Sequence, residues 1–209
     1  MKIPQLKKKL EIKSCHNTSW EDNYSWIHQK NILEVLKDSS KLLPEVRKYL
    51  EDENAYTEYN LKNTKEIQKL LFDEIKGRIK LDDESLPFKD IKYEYWTKTT
   101  TEGNYSIKLR KRIGSSDVEE IWNGDEEKKK LNTKYFGIGD LEVSFDDKLL
   151  GYSLDLKGSE YYSIYIRQIS SNKIITEKIE ETSGAITFSL DNKYIFYSKL
   201  DKFHRPRKI

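Results

Sequence analysis

"SFDDKLLGYS" (residues 144–153) returns forty-five residues later as "SLDNKYIFYS" (residues 189–198). Ser144, Asp146, Lys148, Leu150, Tyr152 and Ser153 fall on Ser189, Asp191, Lys193, Ile195, Tyr197 and Ser198, all at the same offset. In each copy the polar triplet has turn chemistry. The run after it, rich in aromatic and aliphatic residues, has strand character. Between the copies there is room for two further strands, 161–169 and 173–179, parted by the turn residues "SSNK" (170–173). Four strands per period of this length describe one blade of a β-propeller.

Upstream, 91–96 alternates Ile91, Tyr93 and Tyr95 with Lys92, Glu94 and Trp96. After "TTTEGN" (99–104) the alternation resumes with Tyr105, Ile107 and Leu109. This predicts a hairpin turning at Gly103-Asn104. With a strand over 119–122 it forms an earlier blade. Downstream, 185–189 and 194–198 begin a later one. Propellers close with about 4–8 blades, so the chain is expected to hold two blades and the start of a third. The backbone of 194–198 is then expected to be an unpaired edge prone to association.

Before residue 82 the period is different. Ile32, Leu33, Val35 and Leu36 cluster on one helical face. Pro44 suits a first helical turn, and Val46, Tyr49 and Leu50 form a stripe. Ile67, Leu70, Leu71 and Ile75 repeat the helical spacing up to Gly77, a natural stop. The expected architecture is α+β by content: an N-terminal helical segment (1–80) followed by an incomplete β-propeller (81–209). The boundary lies in the charge-rich stretch 77–88.

Composition narrows the function. Thirty-eight Lys and Arg nearly balance 36 Asp and Glu, so no electrostatic surface for nucleic acid or anionic lipid is indicated. Lys128–Lys130 beside Asp125, Glu126 and Glu127 reads as a solvated turn. The single cysteine, Cys15, allows no intrachain disulfide. "MKIPQLKKKLEIK" has charge where a signal peptide needs an apolar core, and no stretch is long and apolar enough to span a membrane. A soluble cytoplasmic protein is expected.

No catalytic, cofactor-binding or metal-binding residue is assigned, and no cofactor is expected. G-x-S-x-G is absent. His16, His28 and His204 are scattered without zinc spacing. Cys15-His16 pairs a thiol with a base, but adjacent side chains seldom converge, and it reads as an ordinary terminal pair. Asp82-Asp83-Glu84 lacks the spaced oxygens of a cation loop and reads as linker. "GIGD" (137–140) reads as a turn before a strand. Trp20, Tyr24 and Trp26 read as an apolar anchor for the N-terminal segment.

Five blocks then carry a resemblance. They are "HNTSWEDNYSWIHQKN" (16–31), "YLEDENAYT" (49–57), "LFDEIKGRIKLDDESLP" (71–87), "EYWTKTTTEGNYSIKLRKR" (94–112) and "TSGAITFSLDNKYIFYSKLDKFHRPRKI" (182–209). In this order and spacing they resemble the prolyl oligopeptidase family, in its oligopeptidase B branch. The first block matches at His16, Asp22, Tyr24 and Trp26 and departs at Ile27, His28 and Gln29. The resemblance implies a seven-bladed propeller that restricts substrates to short peptides. It also implies an α/β-hydrolase domain carrying a Ser-Asp-His triad, which cleaves after Arg or Lys. The helical segment would pack on that hydrolase domain. Triad and specificity residues belong to the hydrolase part, so none maps onto this sequence. The chain is expected to be an N-terminal fragment, inert alone. Its expected partner is a separately encoded C-terminal hydrolase chain, with short basic peptides as ligands of the completed pair. The alternative is a non-catalytic, propeller-derived interaction module.

Overall fold

Strands, not helices, come first. In the computed structural model, which describes residues 1–209, Glu11–Cys15 (β1) pairs antiparallel with Thr18–Asp22 (β2). The two residues between them, His16 and Asn17, have φ of 48° and 62°. Two successive left-handed residues match the right-handed twist of a hairpin. The expectation of a chain that opens with a helical segment is therefore corrected. The protein is mostly β-sheet with a small helical portion. Helical periodicity starts only at Asn31, and the expectation carried that signal back over 1–30. There Thr18 and Trp20 favour strand.

Two compact units divide the chain, Met1–Ile79 and Lys80–Ile209. In the first, the hairpin is followed by Ile32–Lys37 (α1), Pro44–Leu61 (α2) and Lys65–Gly77 (α3). Pro44 opens α2, where its missing N–H costs no hydrogen bond. No side chain caps this helix at Leu43. Gln29 ties the preceding loop instead: its Oε1 accepts from Leu43 N (2.6 Å), and its Nε2 donates to Lys41 O (3.2 Å). Val46 is buried, but α3 buries no residue. Ile67, Leu70, Leu71, Phe72 and Ile75 are each between 48% and 63% exposed. No helix is long and apolar enough to cross a membrane.

The second unit is built of successive antiparallel sheets. The first sheet centres on Tyr93–Thr99 (β5), Ile107–Arg112 (β6) and Val118–Asn123 (β7). The short strands Asp83–Glu84 (β3) and Phe88–Lys89 (β4) pair on β5. The second sheet runs in order through Gly137–Val143 (β8), Leu149–Asp155 (β9), Tyr162–Gln168 (β10) and Ile179–Thr182 (β11). Thr187–Phe188 (β12) and Ile195–Phe196 (β13) make a third, two-stranded sheet. Lys199–Leu200 (β14) and Pro206–Lys208 (β15) then return to extend the second sheet beyond β11. Four strands, β8 to β11, make up this repeat.

The sequence repeat is also a repeat of hydrogen bonds. Ser144 Oγ donates to Asp146 Oδ1 (2.8 Å) and accepts from Leu149 N (2.9 Å). Ser189 Oγ donates to Asp191 Oδ1 (2.6 Å) and accepts from Tyr194 N (3.0 Å). The next residue after each aspartate, Asp147 or Asn192, has φ of 64° or 59°. Asp and Asn tolerate that left-handed conformation. The copies differ in burial: Leu150 is 0% exposed, whereas its counterpart Ile195 is only half-buried.

Three local expectations need correction. "GIGD" lies inside β8, not in a turn before it. Glycine is required at 139 by close approach, since a Cβ there would sit 2.5 Å from Ser153 Oγ and 2.8 Å from the Tyr162 ring. The acidic-basic run is a helix, Gly124–Leu131 (α4), not a turn. Asn123 caps it by accepting from Glu126 N (3.2 Å). Its acids occupy the first turn and its lysines the last, as the helix dipole favours. Over 173–179 only one isolated bridge forms, Arg167 to Ile174, and the strand proper starts at Ile179.

The core of the unit has two parts. Trp122, Phe136, Leu150, Tyr152 and Leu154 pack between the first and second sheets. Ile164, Ile166, Ile186 and Phe188 pack between the second and third.

Candidate functional site

Polar side chains lock the first sheet to the second at three points. At one, Asp147 is 8% exposed. Tyr95 Oη donates to its Oδ1 (2.6 Å), and Arg110 Nη1 donates to its carbonyl oxygen (2.6 Å). The Arg110 guanidinium also lies over the Tyr93 ring (4.3 Å) and donates through Nε to Glu119 Oε2 (2.8 Å). Burial, and then the Asp147 carboxylate, push the Tyr95 phenol well above its usual range. At the second point, Arg167 of β10 donates to Glu127 Oε1 (2.9 Å) and Ile121 O (2.6 Å). Its guanidinium also faces the Trp122 and Tyr152 rings, 5.1 and 5.4 Å from their centroids. At the third, Lys108 Nζ donates to Leu141 O (3.0 Å). Burial depresses this ammonium's pKa, against the opposing pull of Glu142 and Asp140.

Beside the Asp147 lock lies a cleft of about 420 Å³. It falls in the size range of small-ligand sites. The start of β5, the end of β6, the β8–β9 turn and the end of β10 line it, which brings Lys92, Tyr93, Arg110, Arg112, Asp146 and Ile169 to one place. Most of its charges are already committed. Arg110 is held by Glu119 (2.8 Å), and Lys148 by Asp146 (3.2 Å). Burial raises the Asp146 pKa, but the Ser144 hydroxyl and Lys148 outweigh it and hold the carboxyl below its ordinary value. Lys92 has only a distant contact, 3.9 Å to Asp147 Oδ2. Arg112 is exposed at the end of β6 and takes part in no ion pair.

The residues singled out in sequence stay apart. Cys15 and His16 flank an exposed hairpin turn. His28 is exposed, and His204 packs against the Tyr161 ring (4.3 Å). Asp82 accepts from Thr101 N (2.8 Å) and Oγ1 (2.6 Å), Asp83 pairs with Lys80 (2.7 Å), and Glu84 pairs with Lys98 (3.4 Å). No three His, Cys, Asp or Glu side chains converge on a metal position. Of the three early aromatics, Trp26 does hold the N-terminal segment, donating from Nε1 to Lys7 O (2.9 Å) beneath Lys9 (3.9 Å). Trp20 and Tyr24 remain largely exposed. The cleft was not visible in sequence because four separated segments build it. The one available signal was Lys108, Arg110 and Arg112 at period two, a cationic face on a single strand.

Successive antiparallel sheets with locked turns define a β-propeller domain. Residues 4–208 match the family described as prolyl oligopeptidase, N-terminal beta-propeller domain, and the chain belongs to the prolyl oligopeptidase family as its N-terminal part. It is similar to dipeptidyl aminopeptidase BI of Pseudoxanthomonas mexicana, 26% identical over 93% of this chain and 28% of that protein. It is also similar to protease 2 of Moraxella lacunata, 22% identical over 100% of this chain and 30% of that protein. In fold it matches oligopeptidase B from Leishmania major, with TM-score 0.81, 21% identity, and coverage of 98% of this chain and 30% of that one. The chain thus spans about 30% of the length of the relatives it matches.

Proposed function

We propose that the chain is the N-terminal propeller portion of a serine oligopeptidase acting on short peptides after Arg or Lys. The observation that carries this reading is the family match over 4–208, together with a span of less than a third of relatives that are themselves named as peptidases. The propeller would admit short, flexible peptides and exclude folded chains. Acyl transfer needs a nucleophile, a base and oxyanion donors in one constellation. The residues of this chain offer none, so the chemistry falls to hydrolase sequence, joined to this chain or supplied as a second polypeptide. The uncovered stripe of α3 supports docking of such a domain.

The test is an assay of the 209-residue chain with Arg- and Lys-terminated fluorogenic peptides, alone and after adding the hydrolase domain of a relative. No turnover alone, no labelling by a serine-directed phosphonate, and turnover on complementation are expected. Stoichiometric labelling of a serine in this chain would refute the reading. Failure of complementation with clean association would favour a non-catalytic interaction module.

A further inference from the structure

We propose that the cleft between the ends of the first and second sheets binds a small carboxylate, the free C-terminus of a short peptide, through Lys92 and Arg112. The choice of a peptide rests on the proposed function; the choice of a carboxylate does not.

Charge pairing selects the ligand's sign. Arg110 and Glu119 cancel, as do Lys148 and Asp146. What remains is Lys92 and Arg112 against the single carboxylate of Asp147. Two cations against one anion leave one net positive charge, which matches a carboxylate better than a phosphate dianion. Asp147 is held in place, with its Oδ2 facing Lys92 at 3.9 Å. Its Oδ1 is held by Tyr95 and its carbonyl by Arg110, at the left-handed corner of a tight turn. Arg112 brings a planar fork that fits a carboxylate's two oxygens. Tyr93 and Ile169 supply apolar wall for the adjoining side chain, and Ser170 also lines the cleft. Backbone hydrogen bonds tie the cleft's frame together. Ile113 N donates to Lys92 O (2.9 Å), fixing the two cationic segments side by side, and Ile169 N donates to Lys148 O (2.9 Å), fixing the opposite wall.

The experiment is a titration of the 209-residue chain, followed by NMR and calorimetry, with an N-acetylated dipeptide acid, the same dipeptide as its C-terminal amide, and inorganic phosphate. The acid is expected to bind saturably, with salt weakening it. The amide should bind at least about tenfold more weakly. Arg112→Gln and Lys92→Gln should each weaken the acid by about tenfold, and Arg112→Gln should leave the unfolding midpoint unchanged, because that side chain is exposed and in no ion pair. Equal binding of acid and amide, tighter binding of phosphate, unaltered affinity in both variants, or no saturable binding would each overturn the proposal. The readout is binding by this chain, so a failed complementation assay would leave the result intact, and a failed titration would leave the peptidase reading intact.

Discussion

Asn192 Oδ1 accepts a hydrogen bond from the backbone N–H of Asp146, 3.3 Å away and 46 residues earlier in the chain. Asn192 holds the place in its turn that Asp147 holds in the preceding one, and Asp147 likewise reaches back to the sheet before it. The left-handed residue of each repeated turn is thus the hook onto the previous sheet. Asn192→Ala should cost about 1–2 kcal/mol, combining a lost hydrogen bond with a left-handed alanine. Asn192→Gly removes only the bond and should cost less. Urea unfolding of both variants checks this, and equal losses would mean that backbone conformation contributes nothing.

Identical hydroxyls in the two turns should have unequal worth. Ser144 is 2% exposed, and its loss removes the acceptor of the Leu149 N–H. Ser144→Ala should cost about 1–3 kcal/mol. The Ser189 turn is open to solvent, and Ser189→Ala should cost under about 1 kcal/mol. Chemical denaturation of the two single variants gives the comparison, and a larger loss at Ser189 would contradict it.

Acid should weaken the Ser144 turn. The Asp146 pKa is held below its ordinary value of 3.8 in the folded protein. Its contribution is therefore complete above pH 3.8 and disappears as pH falls through the lower, folded-state value. Asp146→Asn should lower stability at neutral pH and match the parent at the acid end. Unfolding midpoints measured across the acid range test the sign. A gap that widened towards low pH would exclude this linkage.

Protection against hydrogen exchange should divide along burial. The α3 helix buries no side chain, whereas β9 and β10 hold Leu150, Ile164 and Ile166. Amides of 65–77 should exchange much faster than those of 149–155 and 162–168 in the isolated chain. Mass-spectrometric exchange that found α3 as protected as β9 would show that its apolar face is covered in solution.

Some of this was legible because the chemistry is local. Ser144, Asp146 and Lys148 close their own turn, so the same letters at 189, 191 and 193 closed it again. Pro44 opens a helix and Gly77 ends one within a residue's reach. Other elements carried no local signal of the kind sought. The α4 helix has no apolar stripe and is held by the Asn123 cap and by charges ordered along its dipole. The opening hairpin turns on two left-handed residues, His16 and Asn17, a pair outside the glycine-bearing turns usually read as hairpins.

By itself the sequence determined the period of the sheets, the hydrogen-bonded turns that punctuate them and the family to which the chain belongs. Only the tertiary structure decided what each repeat unit touches. Leu150 and Ile195 are equivalent in sequence, yet one is sealed between two sheets and the other is half-buried. Asp147 is clasped by Tyr95 and Arg110, while Asn192 meets a backbone N–H. The cleft of Lys92 and Arg112 exists only where two sheet ends meet the β8–β9 turn. The physical reason is range. A turn is closed by bonds between residues two to five apart, whereas burial and charge pairing depend on whichever sheet stands next to it, about forty residues away in the chain.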